Sequence, residues 1–90
     1  VENLRVLPAG RPPINPAELL ASPRLPQLFR AMRDEFDLVL IDSPPLLAVS
    51  DPSAIARQTD GVLLVVRLGK TSLITARRAR DLIQTNGLTV

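Results

Sequence analysis

The sequence contains no cysteine, histidine, tyrosine or tryptophan. Without cysteine, neither a disulfide framework nor a thiolate metal site can form, which fits a reducing compartment such as the cytosol. Without histidine, neither a Ser-His-Asp triad nor an imidazole metal cluster can be assembled from this chain. Any chemistry that the chain performs must therefore use carboxylates, hydroxyls, arginine or its single lysine.

Aromatic side chains and long apolar runs are also scarce. Phe29 and Phe36 are the two aromatic residues, too few to form a platform on which the bases of a single-stranded nucleic acid stack. Because the net charge is only +2 and the basic residues do not form one dense run, we expect no nucleic-acid partner. No apolar stretch approaches the roughly 20 residues that span a bilayer, and no signal peptide is recognisable.

The chain has 90 residues, enough for one small domain that buries roughly 60–65% of its extended surface. It starts at Val1 rather than at a methionine and stops at Val90, where a new apolar run has begun. We therefore expect residues 1–90 to be part of one domain of a longer protein, and to be only marginally stable by themselves.

Strand and helix signals alternate along the chain. Continuous apolar runs predict buried strands at residues 38–41 and 62–66, and a short alternating run predicts another at residues 4–7. Cap residues followed by proline or by apolar helical spacing predict four helices, which start at Asn15, Ser22, Asp51 and about Ser72. Strands joined by helical crossovers predict part of a parallel-sheet, three-layer α/β/α sandwich.

Apolar spacing also predicts which side of the two longer helices faces inward. In the helix after Ser22, the expected inward residues are Leu25, Leu28, Phe29 and Met32. In the helix after Ser72, they are Leu73, Ala76, Ala79, Leu82 and Ile83. Asn86 and Gly87 supply the stop signal for this last helix.

Asp42 directly follows the apolar run at residues 38–41 and is the strongest candidate for a functional residue. Ligands of open α/β sheets bind beyond the carboxyl ends of the strands. A carboxylate in this place is typical of the Walker B arrangement, in which Asp positions the magnesium ion that bridges nucleotide phosphates. An Asp that ends a strand or begins a turn is equally common, so this pattern alone leaves both interpretations open.

Residues 38–45, with the sequence LVLIDSPP, resemble the Walker B segment of the bacterial tyrosine autokinases. Residues 7–10 (LPAG) and 12–22 (PPINPAELLAS) are similar to an upstream segment of the same kinases and of related exopolysaccharide chain-length regulators. Further similarity at residues 49–52 and 59–67 extends the resemblance over nearly the whole chain. Two motifs in the expected order are far more specific than either motif alone.

The resemblance implies a P-loop NTPase-like kinase domain that uses ATP and Mg²⁺, with Asp42 as the catalytic residue that holds the metal through water. It implies nucleotide-side roles for Ser43, Pro44 and Asp51. Each has a plainer alternative: Ser43 stabilises a turn, Pro44 fixes the direction of the loop, and Asp51 caps the next helix, where its loss costs roughly 0.5–2 kcal/mol.

At the level of the whole protein, the resemblance implies a kinase that autophosphorylates a C-terminal tyrosine cluster and controls capsule or exopolysaccharide assembly. Such a kinase acts in the cytoplasm at the inner face of the bacterial plasma membrane. Its expected partners are ATP, a membrane-anchored activator or a fused transmembrane chain-length regulator, and further copies of itself in a homo-oligomer.

The phosphate-binding Walker A loop, the adenine-contacting segment and the tyrosine cluster of the family have no counterpart in residues 1–90. We therefore predict that the chain by itself neither binds ATP tightly nor hydrolyses it. Gly69-Lys70-Thr71 resembles the end of a P-loop, but Leu64 stands where that loop requires glycine. This segment is predicted to be a loop that starts a helix.

Two other functions remain open. The first is a partitioning-type ATPase that uses Asp42 for hydrolysis and acts by nucleotide-dependent dimerisation. The second is a non-catalytic domain of a polysaccharide chain-length regulator. An arginine cluster on the last helix, at Arg77, Arg78 and Arg80, is interpreted as a solvated face, with an oligomer contact or an approach to acidic tails as the alternative.

Overall fold

In the computed structural model of the chain, residues 1–45 and 53–90 are described. Their regular structure consists of helices: α1 (Pro16–Ala21), α2 (Arg24–Glu35), α3 (Ser53–Ala56) and α4 (Leu73–Thr85). Helix α1 contacts both α2 and α3. The start predicted for α3 at Asp51 lies outside the described residues, and the helix ends two residues before the predicted Gln58.

Helices α1 and α2 begin close to their predicted cap residues. The Asn15 side chain accepts a hydrogen bond from the Glu18 backbone N–H at 3.3 Å and donates one to the Glu18 carboxylate at 3.3 Å. The first of these bonds pairs a backbone N–H that the first turn of a helix leaves without a partner, and the second joins the two side chains. At the start of α2, the Ser22 hydroxyl accepts from the Arg24 backbone N–H at 3.3 Å.

Helix α4 has well-formed ends. The Ser72 hydroxyl accepts from the Thr75 backbone N–H at 3.1 Å. At the other end, the N–H groups of Gly87 and Leu88 donate to the carbonyls of Gln84 and Ile83, at 2.9 and 3.1 Å. This pair of bonds is the Schellman arrangement, which requires the left-handed backbone that Gly87 adopts with φ of 72°.

The predicted parallel-sheet sandwich is wrong for this chain, because the described residues contain helices and no strand. A sheet needs neighbouring segments that exchange backbone hydrogen bonds along a ladder. Among the described residues, one backbone hydrogen bond, from the Val62 N–H to the Thr89 carbonyl at 2.8 Å, joins the predicted strand at 62–66 to the end of the chain. Residues 4–7 and 38–41 likewise have no regular structure.

The apolar runs predicted to be covered on both faces are covered on one at most. Val39, Val62 and Leu64 are half-buried, while the residues between and beside them are exposed. A continuous apolar run indicates that a segment can be buried on both faces. The run itself does not provide the neighbouring strands and helices that bury it. The prediction was wrong because it assumed that these elements were present.

The buried residues of the described chain are Ala79 and Ile83, both on α4. The predicted inward faces are therefore only partly correct. Leu25, Phe29 and Met32 of α2 are half-buried, as are Ala76 and Leu82 of α4. Leu28 and Leu73, which were predicted to face inward, are 43% and 66% exposed.

Candidate functional site

An open cavity of about 970 Å³ lies where α2, α4 and the two apolar segments meet. Its wall includes residues 37–45, residues 58–65, the last turn of α4 and residues near the C-terminus. Asp42, Ser43 and Pro44 all lie on this wall. The structure therefore brings three of the four predicted site residues to one cavity.

Asp42 is exposed at the end of the apolar segment 38–41. The ion pairs among the described residues involve other carboxylates, so the Asp42 carboxylate is presented to the cavity without a described cationic partner. Among the four apolar residues that precede Asp42, Val39 is half-buried and the others are exposed.

The residues after Asp42 form a proline-containing loop. The Ser43 hydroxyl donates to the Pro44 carbonyl at 3.3 Å, a local bond of the kind that stabilises turns. This hydrogen bond fits the alternative in which Ser43 stabilises a turn. Asp51, the fourth predicted site residue, lies outside the described residues, so its position relative to Asp42 is untested.

The cavity wall carries further charges that the sequence did not single out. Asp37 and Asp60 supply two more carboxylates, and Arg33 supplies a guanidinium. Arg33 donates from one nitrogen to the Gln58 carbonyl and to the Asp60 carboxylate, both at 3.3 Å. Because these partners are 25 and 27 residues away in sequence, no local pattern could have revealed the contact.

The carboxylates at the cavity do not form a complete metal site. Among the described residues, no group of three or more acidic residues is arranged to hold a metal ion. An isolated carboxylate such as Asp42 can still position a hydrated divalent cation whose other ligands are water and phosphate, as magnesium prefers. The geometry thus fits a supporting carboxylate better than a self-sufficient metal centre.

The segment that resembles the end of a P-loop does not form a phosphate cradle. The backbone N–H groups of Lys70 and Thr71 both donate to the Arg67 carbonyl, at 3.1 and 2.8 Å, and the Arg67 N–H donates to the Thr71 hydroxyl at 3.0 Å. These N–H groups already form hydrogen bonds within the turn, so they are not available to phosphate oxygens. As predicted, the segment is a loop that leads into α4.

The arginine cluster of α4 includes an ion pair. Arg80 donates from two nitrogens to one carboxylate oxygen of Asp81, at 3.0 and 2.7 Å. Both side chains are more than half exposed, so the pair contributes at most about 1 kcal/mol to stability.

None of the described helices is both long and apolar enough to span a bilayer.

The chain is similar to bacterial proteins named as tyrosine-protein kinases. It is 38% identical to YwqD of Bacillus subtilis over 84 residues, which are 93% of the chain and 35% of YwqD. It is 36% identical to Wzc of Salmonella typhi over 90 residues, 100% of the chain and 12% of Wzc. It is 45% identical to Etk of Escherichia coli strain K12 over 64 residues, 71% of the chain and 9% of Etk.

The chain therefore spans about a third of the length of YwqD and far less of the other two relatives. No protein-family model matches the chain, and no solved structure matches it significantly.

Proposed function

We infer from these similarities that the chain is a segment of a protein of the bacterial tyrosine-protein kinase family, as its motifs predicted. We propose that in the intact protein this segment contributes Asp42 to the ATP site of a tyrosine autokinase. The observation that carries the proposal is the position of Asp42. It ends an apolar segment at the cavity wall, within a chain that aligns over its full length with a tyrosine-protein kinase.

The chemistry of Asp42 fits the role of a magnesium-positioning carboxylate. Magnesium prefers oxygen ligands and keeps several waters, so it is bound through one or two carboxylates together with the phosphates of the nucleotide. When bound, the ion neutralises the charge of those phosphates during transfer to tyrosine. Asp42 supplies a fixed negative charge that holds the hydrated ion from the protein side.

We propose supporting roles for the three other predicted site residues. Pro44 fixes the direction in which the loop leaves Asp42, because its ring restricts the backbone. Ser43 keeps this loop closed through its bond to the Pro44 carbonyl, and its hydroxyl would accept a hydrogen bond from water bound to the metal. We propose a nucleotide-side role for Asp51 as well. Its replacement by Asn retains a side chain that can cap a helix and removes the charge, and so separates a nucleotide-side role from a capping role.

The wider assignment rests on the family resemblance. We propose that the intact protein autophosphorylates tyrosine and regulates capsule or exopolysaccharide synthesis. We place it in the cytoplasm at the inner face of the plasma membrane, where it pairs with a membrane-anchored activator or is fused to a transmembrane chain-length regulator. Homo-oligomerisation of the intact protein is part of the same proposal.

The test is tyrosine autophosphorylation by the intact parent protein and by its Asp42→Asn variant, with ATP and Mg²⁺. We expect the variant to lose activity by about 100-fold or more, the scale of losing one preorganised electrostatic contact. Asp37→Asn is the matched control, because Asp37 lies on the same cavity wall at the other end of the same apolar segment. It should keep activity within about threefold.

Equal losses in Asp37→Asn and Asp42→Asn would overturn the specific role of Asp42. The alternative functions give different results with the wild-type parent. ATP hydrolysis without labelled tyrosine would favour a partitioning-type ATPase, and absence of both binding and reaction would favour a non-catalytic regulator. The three relatives described above are named as kinases, so neither alternative has an observation in its favour.

We further predict that residues 1–90 alone do not bind ATP tightly. The only lysine, Lys70, is not on the cavity wall. The backbone N–H groups of the loop around it already form hydrogen bonds within that loop. Isothermal titration with MgATP should give no saturable binding at micromolar concentration. A saturable signal that disappears in Asp42→Asn would contradict this prediction and show that the segment carries a complete site.

A further inference from the structure

The C-terminal end of α4 carries the pair Asn86 and Gly87, which the proposed kinase function does not use. An asparagine that precedes glycine is chemically labile in a flexible chain. The backbone nitrogen of the next residue can attack the side-chain carbonyl of asparagine, and glycine has no side chain that hinders the approach. The pair is therefore a candidate site of covalent modification.

The modification requires only water as a co-reactant. The Gly87 backbone nitrogen forms a bond to Cγ of Asn86, the bond between Cγ and the amide nitrogen breaks, and that nitrogen leaves as ammonia with the proton of the Gly87 N–H. The product is a five-membered succinimide. Water then adds to one of its two carbonyls and opens the ring, which leaves aspartate or isoaspartate at position 86. No electrons are exchanged with another molecule.

The folded end of α4 keeps the two reacting groups apart. The Asn86 amide nitrogen, which would leave as ammonia, donates a hydrogen bond to the Leu82 carbonyl at 2.8 Å. The attacking Gly87 N–H donates to the Gln84 carbonyl at 2.9 Å. At the Asn86 ψ of 9°, the Gly87 nitrogen is nearly eclipsed with the Asn86 backbone nitrogen. Closing the succinimide ring requires it to lie on the side of Cβ instead.

We propose that Asn86 is a site of spontaneous conversion to aspartate and isoaspartate, and that the folded end of α4 protects it. The reaction requires release of both hydrogen bonds and rotation about the Asn86 Cα–C bond. These changes occur together when the helix end opens, so the frequency of local opening sets the rate of conversion. The proposal goes beyond the kinase function and does not depend on it.

The conversion weakens the structure that protects the site. An ionised carboxylate has no N–H group to donate to the Leu82 carbonyl, and its charge is repelled by the partial negative charge at the end of a helix. Isoaspartate also adds a carbon to the backbone within the Schellman arrangement. Asn86 is half-buried and borders the open cavity. The product therefore adds a negative charge to the wall that also carries Asp42.

Incubation of the intact parent protein at mildly alkaline pH tests the proposal, with one sample folded and the other in guanidinium chloride. After digestion with trypsin, mass spectrometry of the peptide that begins at Asp81 measures the replacement of the amide by a carboxyl group. Fragmentation of the peptide backbone distinguishes isoaspartate from aspartate. We expect conversion in the folded protein to be slower by about 10-fold or more, because the site reacts only when the helix end opens.

The other two asparagines of residues 1–90 are internal controls for the chemistry. Asn15 precedes Pro16, which has no backbone N–H and cannot carry out the attack. Asn3 precedes Leu4, whose side chain hinders the approach of the backbone nitrogen. In the denatured protein, Asn86 should therefore convert faster than Asn3, and Asn15 should not convert by this route.

Two variants of α4 test the protection. Ile83→Ala removes a side chain that is 1% exposed in the last turn, so opening becomes more frequent, and conversion in the folded parent should be faster by about 10-fold or more. Ile74→Ala, in the first turn, truncates a side chain that is 67% exposed and should change the rate by less than about threefold. If Ile83→Ala unfolds the parent, Ile83→Val should give an acceleration of about threefold.

Equal rates of conversion in the folded and denatured parent would overturn the proposal, because the helix end would then give no protection. Conversion of Asn3 ahead of Asn86 in the denatured protein would also overturn it. So would equal rates in folded Ile83→Ala and Ile74→Ala, or, where Ile83→Ala does not fold, in Ile83→Val and Ile74→Ala. None of these measurements involves phosphorylation, so they test the modification site separately from the kinase function.

Discussion

Replacing Ile83 with alanine removes most of the largest side chain that the described residues bury. Ile83 is 1% exposed on α4, and truncating a buried isoleucine to alanine costs about 2–5 kcal/mol. Ile83 borders an open cavity, where neighbouring groups and water can partly fill the space, so we expect a loss of about 2–3 kcal/mol. Ile74→Ala is the matched control on the same helix.

The control separates burial from helix propensity. Ile74 is 67% exposed, so its truncation removes little buried surface, and alanine favours the helix by at most about 0.7 kcal/mol. Its expected effect is within about 0.5 kcal/mol. The two variants make the same chemical change in the same helix, and only the burial of the side chain differs between them.

Urea unfolding of residues 1–90, followed by far-ultraviolet circular dichroism, measures this difference. With a denaturant slope of about 1 kcal/mol per molar urea, Ile83→Ala should lower the midpoint by about 2–3 M, and Ile74→Ala should shift it by less than about 0.5 M. Equal midpoints for the two variants would refute the assignment of Ile83 to the core. A wild-type chain without a cooperative transition would count against it equally.

Two further changes test the helix ends in the same assay. Asn15→Ala removes the cap of α1 and its two hydrogen bonds to Glu18, both at 3.3 Å. We expect the free energy of unfolding to fall by about 1 kcal/mol, and Asn15→Ser should largely restore it. Equal stability of Asn15→Ala and Asn15→Ser would contradict the cap. Gly87→Ala places a residue with a side chain at a backbone φ of 72°. No other group lies within 4 Å of the added carbon, so the change causes no steric clash with a neighbour. The expected cost of about 1–2 kcal/mol is therefore backbone strain alone, and a neutral result would contradict the left-handed end of α4.

Helix starts were predictable because they depend on residues close in sequence. Asn15 and Ser72 each bond a backbone N–H three residues later, so the residue types that form the cap are visible in a window of four positions. The end of α4 was predictable for the same reason, because the Schellman arrangement needs a residue that tolerates positive φ, and Gly87 is such a residue. These local signals placed α1, α2 and α4 within a residue or two.

Strand pairing was not predictable because it depends on a partner distant in sequence. Residues 38–41 and 62–66 carry the composition of buried strands, but burial requires layers on both sides, and composition cannot show whether those layers are present. The Arg33 contact with Asp60 has the same character, since it joins residues far apart in sequence. Asp42 was singled out by its motif, whereas the other two carboxylates and the guanidinium on the same cavity wall were not.

Asp42→Asn separates the charge of Asp42 from any contribution of Asp42 to the fold, because the change removes the charge and alters almost nothing of the side-chain shape. We propose that the carboxylate holds a hydrated magnesium ion through its charge. On that proposal, Asp42→Asn should abolish phosphorylation by the intact parent protein and leave the urea midpoint of residues 1–90 within about 0.5 M of the wild-type value. A clearly lower midpoint in Asp42→Asn would mean that Asp42 is a structural residue, and the loss of activity would then carry no information about magnesium.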